Sequence, residues 1–201
     1  MTKISALLAA GVLICTMSAP ASAQALVDYR ATLSGAAEAP PNASPGAGQV
    51  TITLDQSAAT PILRVQASFS DLLGTVTAAH IHCCTAAAGT GTAGVATQTP
   101  TFIGFPSGVM AGSYDQTFDM SLASSYNPAF VTGHGGSEAL AFADLVAGLN
   151  AGQAYFNVHT TQVPGGEIRG FLTAVPEPQT YAMLALGLVA VAGMARRRRS
   201  L

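Results

Sequence analysis

The chain of 201 residues has no tryptophan, four histidines, three cysteines and only 9% charged side chains, where an ordinary soluble domain has about 25% charge. Basic residues are especially scarce in the interior of the sequence. Lys3 stands near the start and Arg196 to Arg199 near the end, which leaves Arg30, Arg64 and Arg169 between them. A nucleic-acid binder built on a basic patch is thereby excluded. No Gly-Lys-Ser/Thr phosphate loop and no Gly-x-Ser-x-Gly nucleophile turn occurs, so these signatures of nucleotide and serine-hydrolase chemistry are missing. A glycosidase needs two carboxylates across a cleft, and a hydrolase needs a nucleophile with its base. No spacing in the chain identifies either, and no catalytic residue is assigned.

Apolar residues are abundant, at 49% with a mean hydropathy of +0.40, so the chain is not a solvated, disordered one. Its length suits one domain with short appendages. Between Asp28 and Arg169 three arginines face nine carboxylates, a formal charge of −6, which attracts cations rather than anions.

The two ends read as addresses. Lys3, the apolar run Ile4 to Met17 and then Ala21-Ser22-Ala23 have the order of a secretory signal, with cleavage by signal peptidase after Ala23. Cys15 leaves with residues 1–23. At the other end Pro176-Glu177-Pro178 precedes an apolar stretch from Tyr181 to Ala195 and the block Arg196, Arg197, Arg198, Arg199. The arginines hold that terminus in the cytoplasm, while about fifteen apolar residues cover only ~22 Å of a ~30 Å hydrocarbon core. This order resembles the PEP-CTERM sorting tail of Gram-negative bacteria. The resemblance implies transient anchoring of residues 175–201 in the inner membrane as a short transmembrane helix. It further implies recognition by an exosortase, cleavage near the Pro-Glu-Pro, and release to the envelope, matrix or medium. A permanent tail anchor has the same topology.

Residues 24–174 are left as the exported domain. Period-two alternation marks strands at 27–33, 48–54 and 63–69, with further strands expected at 76–82, 112–120, 154–160 and 167–173, punctuated by Pro and Gly turns. This pattern predicts an all-β antiparallel sandwich, immunoglobulin-like or superoxide-dismutase-like in its Greek-key connections. Residues 137–150 show helical spacing and predict a short helix. Residues 85–99 form a long Ala/Gly/Thr loop, of a length that is usually functional or mobile.

Three of the four histidines fall in two blocks, Ala79-His80-Ile81-His82-Cys83-Cys84 and Phe156-Asn157-Val158-His159-Thr160. In a strand His80 and His82 project from one side. With His159 from another strand they would make a three-imidazole set for copper or zinc, with His134 the one histidine left as a fourth ligand. The competing reading makes them polar pins that hydrogen-bond carbonyls inside a sandwich. After export Cys83 and Cys84 meet an oxidising compartment. They could close a vicinal disulfide, serve as redox or ligand thiols beside His80 and His82, or bond another chain. Glu167 and Arg169 flank Ile168 and so point the same way, which predicts an ion pair on a hairpin turned by Pro164-Gly165-Gly166.

The two histidine blocks, followed by Pro164-Gly165-Gly166-Glu167-Ile168-Arg169-Gly170, resemble the CHRD domain over about Ala25 to Thr173. The resemblance implies an extracellular β-sandwich module and assigns no activity. Many members have Gly-Pro after the His-x-His where this chain has Cys83-Cys84. The order His80, His82, His159, Arg169 is also similar to the copper site of copper-zinc superoxide dismutases, without their zinc-loop cluster or a distant disulfide cysteine. The expected function is that of a non-enzymatic surface or extracellular-matrix module binding a protein or exopolysaccharide. The alternative is a copper- or zinc-binding or redox protein using His80, His82 and His159.

Overall fold

Alternating apolar residues decide the strands of this protein. In β1 (Val27–Ser34) Tyr29 and Leu33 are buried. In β2 (Ala47–Asp55) Val50, Ile52 and Leu54 are, and in β3 (Ile62–Ser70) Leu63, Val65, Ala67 and Phe69. Residues between them, such as Arg30, Thr51, Arg64 and Gln66, stay on the outer face. A one-residue slip would turn every apolar side chain outward, so the burial pattern itself fixes the register. Ile52 accordingly pairs with Tyr29 on one side and Val65 on the other.

The computed structural model describes residues 26–56, 60–176, 186–188 and 191. The remaining strands are β4 (Val76–His82), β5 (Gly112–Asp119), β6 (Tyr155–Thr160), β7 (Ile168–Phe171) and β8 (Thr173–Ala174). One sheet of eight strands runs in the order β4-β6-β7-β1-β2-β3-β5, with β8 also on β1, and curls into an antiparallel half-barrel. The expected all-β antiparallel class is what forms, and the seven expected strands lie within a few residues of those observed. The signal segment 1–23 and the sorting residues Glu177, Pro178 and Arg196 to Arg199 lie outside the described residues. No helix among the described residues is long and apolar enough to cross a membrane.

Two helices cross between β5 and β6. In α1 (Pro128–Gly133) Asn127 caps the first turn and a proline opens it, a position where the missing N–H costs nothing. This helix was not expected. The expected one is α2 (Glu138–Asn150), whose cap Ser137 accepts from the Leu140 N–H. It buries Ala141, Leu145 and Leu149 against the core, and Asn150 accepts a 2.7 Å hydrogen bond from the Tyr29 hydroxyl of β1.

Cys83 and Cys84 are joined as a disulfide immediately after β4, and both sulfurs rest against Gly148 of α2, where a Cβ would collide with them. Cys84 Sγ also approaches the Asp144 carbonyl at 3.6 Å. The helix is therefore seated on the disulfide through a residue that has no side chain. Gly148→Ala is expected to lower stability by about 1–3 kcal/mol, the usual cost of overpacking, read as a fall in the urea midpoint. An unchanged midpoint would mean that helix and disulfide do not touch.

Candidate metal centre

Strand parity places the histidines. Ala79, Ile81 and Cys83 face the core, so His80 and His82 face the other side of β4. The partner strand β6 is antiparallel, with His80 opposite Asn157, His82 opposite Tyr155 and Ala78 opposite His159. Phe156 and Val158 of β6 join the core, which turns Tyr155, Asn157 and His159 to the histidine side. The three imidazoles consequently meet, with centroid separations of 5.8 Å for His80–His82, 5.3 Å for His80–His159 and 5.7 Å for His82–His159.

Each ring has one nitrogen tied to a backbone carbonyl. His80 Nε2 donates to Pro100 O at 2.7 Å, His82 Nδ1 to Ala93 O at 2.9 Å and His159 Nδ1 to Pro164 O at 2.9 Å. A carbonyl only accepts, so the bonded nitrogens carry the protons and the tautomers are set. The other nitrogens, His80 Nδ1, His82 Nε2 and His159 Nε2, are buried and have no hydrogen-bond partner. Ligand atoms of the three residues lie within 4.8 Å of one another. One ion bonded at about 2.0–2.1 Å to each nitrogen would need them about 3.5 Å apart.

Burial pushes all three histidine pKa values down, that of His82 to about 4, against the pull of the carbonyl hydrogen bonds. The rings are therefore neutral at pH 7. The loop after β4, only a long irregular stretch in the sequence, covers this face. Its Ala93 carbonyl holds His82 and also accepts from the Tyr155 hydroxyl, while the Tyr155 ring stacks on His82 at 4.8 Å.

Arg169 of β7 continues the same face. Its guanidinium lies 4.8 Å from the Tyr155 ring centroid, donates to Ala37 O and Gly91 O, and has Nε 3.8 Å from Glu38 Oε2. The expected Glu167–Arg169 pair does not form. Glu167 lies before β7, next to Gly166 at φ 128°, so strand alternation does not govern its direction. Its carboxylate instead accepts from Ser44 and Thr160 hydroxyls and from the N–H groups of Leu73 and Gly74. Burial raises its pKa, but these hydrogen bonds outweigh burial and hold it below the usual carboxylate range.

The idea of ligand thiols is also corrected: Cys83 and Cys84 are bonded to each other and sit against α2, on the other side of β4 from the imidazoles. His134 stands apart, at the end of α1, where its ring packs on Phe130 and Nδ1 meets the Phe130 carbonyl at 2.8 Å. Gly89, Gly91 and Gly94 match the spacing of a dinucleotide-binding turn, yet they open no helix and therefore lack the anion site that such a turn requires. Sequence reasoning missed Glu38, Tyr155 and Asn157. The parity of β6 links Tyr155 and Asn157 to His159, whereas nothing in the spacing links Glu38 to Arg169.

The fold and this face define an antiparallel β module with a buried three-imidazole cluster roofed by loops. The chain belongs to the CHRD domain family, which matches residues 29–172, and its PEP-CTERM protein-sorting motif matches residues 174–199. It is accordingly an exported protein, sorted by an exosortase to the cell envelope of a Gram-negative bacterium. No curated protein and no solved structure matches it.

The cluster sets a pH dependence. The folded histidines titrate below the unfolded value of about 6.5, so on acidification the unfolded chain binds protons first and stability is lost as pH falls from there toward about 4. Glu38, raised to about 7, has the opposite sign: its contribution is full below the unfolded carboxyl value and is lost as pH rises through about 7. Three imidazoles outweigh one carboxyl. With a chelator present, the urea midpoint should therefore drop between pH 7 and pH 5, and less steeply in His82→Gln. A midpoint that rises on acidification would contradict this account of the site.

Proposed function

We propose that this exported module binds one copper or zinc ion through His80 Nδ1, His82 Nε2 and His159 Nε2. The observation that carries the reading is the convergence of three buried ring nitrogens without partners. Buried polar atoms are normally hydrogen-bonded, and three such exceptions aimed at one region need a common account. A purely structural role for the histidines explains the nitrogens bonded to carbonyls but leaves the other three uncompensated.

The chemistry of the donors suits the ion. Imidazole nitrogens favour copper and zinc over hard cations, which prefer oxygen. The carbonyls of Pro100, Ala93 and Pro164 orient the rings and keep the proton off the nitrogen that would bind, the usual arrangement around a metal-bound histidine. Because the rings are already neutral at pH 7, uptake need not displace protons from them. Among the described residues no further His, Cys, Asp or Glu completes the set, so a fourth position falls to water or a small ligand. Held between β4 and β6, the ion would tie the edge strand and its covering loops to the rest of the sheet. The sorting signal supports delivery to the cell envelope, where the ion would work within a surface or matrix module that binds a protein or exopolysaccharide.

Full chain purified after export and stripped of metal should take up one copper or zinc ion per chain. Its melting temperature should rise, since an ion at a hundred times its dissociation constant adds about 2.7 kcal/mol. His80→Ala and His159→Ala should each weaken binding more than about tenfold, the range already seen when only the groups behind metal ligands are lost. Folded protein that takes up neither ion would overturn the reading.

A further inference from the structure

Two other buried acceptors have no partner, Asn157 Oδ1 beside the imidazoles and Glu38 Oε1 next to it across Gly166. Their residues are only 3% and 7% exposed. Both side chains lie against Gly166: a Cβ there would be 2.8 Å from Glu38 Oε1 and 2.6 Å from each of Asn157 Oδ1 and Nδ2. Buried polar atoms are normally hydrogen-bonded, and neither of these two oxygens has a donor. A single proton on the carboxyl turns one of them into a donor and satisfies both.

The surroundings of Glu38 are few. Arg169 reaches it from β7, the Asn157 amide from β6 and the Ala39 N–H from its own loop. The carboxylate nearest in sequence to Arg169, Glu167, is occupied by its own donors. Burial outweighs the arginine and the hydrogen bonds from Ala39 and the Asn157 amide, and pushes the Glu38 carboxyl up to about 7. The connection to the imidazoles is short. Asn157 stands opposite His80 in register, and the Arg169 guanidinium lies on the Tyr155 ring, which stacks on His82.

We infer that in the metal-free protein Glu38 holds a proton on Oε1, shared with Asn157 Oδ1, and releases it when a divalent ion enters the three-histidine site. Metal uptake is thus exchanged for a proton. This inference rests on the metal reading of the same cluster. A divalent ion adds two positive charges beside a buried guanidinium, and loss of the Glu38 proton supplies a compensating negative charge where solvent screening is weak. The step balances: three nitrogen–metal bonds form, one O–H bond breaks, the proton goes to solvent and no electron moves.

Zinc alone tests it, by titration calorimetry of the full chain at pH 6 in buffers of different ionisation enthalpy, which counts the protons released. Wild type should release about one proton per zinc bound, because a carboxyl of pKa about 7 is about nine-tenths protonated at that pH. Glu38→Gln should bind zinc and release almost none. Equal release from both proteins would place the proton elsewhere and overturn the inference while leaving the metal site intact. Absence of zinc binding to wild type would overturn the exchange, and absence of copper binding as well would remove the metal reading.

A second measurement does not depend on the variant folding. The carboxyl carbon of Glu38, followed by NMR in metal-free wild type, should titrate near pH 7, and its midpoint should fall when zinc is added. A carboxylate already ionised at pH 6, with the Asn157 amide turned to donate to it, would also overturn the inference.

Discussion

The register between β4 and β6 is the constraint on which the functional face depends. With His80 opposite Asn157 and Ala78 opposite His159, two histidines from one strand and one from its neighbour share a single side of the sheet. A shift of one residue would send His159 into the apolar interior and Val158 out of it. The same apolar residues that hold the core together, Ile81, Phe156 and Val158, therefore hold the imidazoles in place. Burial of the core and convergence of the imidazoles are one structural fact seen from two faces, which is why an edge strand can carry a buried polar cluster without losing its alignment.

Register alone would leave the rings free to rotate and to protonate. The loops restrict both. The backbone carbonyls of Ala93, Pro100 and Pro164 come from irregular segments, and each fixes a tautomer that leaves the inward nitrogen bare. Glu167 organises the neighbouring loops in a comparable way: its carboxylate gathers donors from three stretches of chain around residues 44, 73 and 160. Buried carboxylates are tolerated when enough donors surround them; at Glu167 the donors outweigh burial, whereas at Glu38 burial outweighs Arg169, the Ala39 N–H and the Asn157 amide. The pKa values of these two glutamates are thus driven in opposite directions by their surroundings.

Much of this was legible from the residues. Alternation located the seven strands, helical spacing with Ser137 located α2, and the His-x-His pattern placed His80 and His82 on one side. Convergence with His159 was not legible, because it needs the strand order, and β4 and β6 are separated by β5 and two helices along the chain. The failure at Glu167 is instructive in a different way. Parity was applied one residue beyond the strand, across a glycine in the left-handed region where the backbone turns, and there a side chain's direction is set by its donors. Glu38 was invisible for a simpler reason: an isolated acid in an Ala- and Pro-rich loop carries no periodicity, and its partner lies far along the chain.

The scarcity of charge gives this face its meaning. The chain has few ionisable side chains, and most of those described are at the surface, as in the Arg64–Asp115 pair, where solvent leaves an ion pair little energetic weight. Among the described residues the buried charged types are Glu38, Glu167 and Arg169, and all three border the imidazole cluster or the loops that roof it. Burying such groups is costly and is not needed to close an antiparallel sheet, as β2 and β3 demonstrate with apolar interiors alone. Their concentration at one end marks where the fold departs from what stability by itself would select. In this exported β module the buried charged groups and the three neutral imidazoles are gathered on one face, which is where a role beyond stability would have to be looked for.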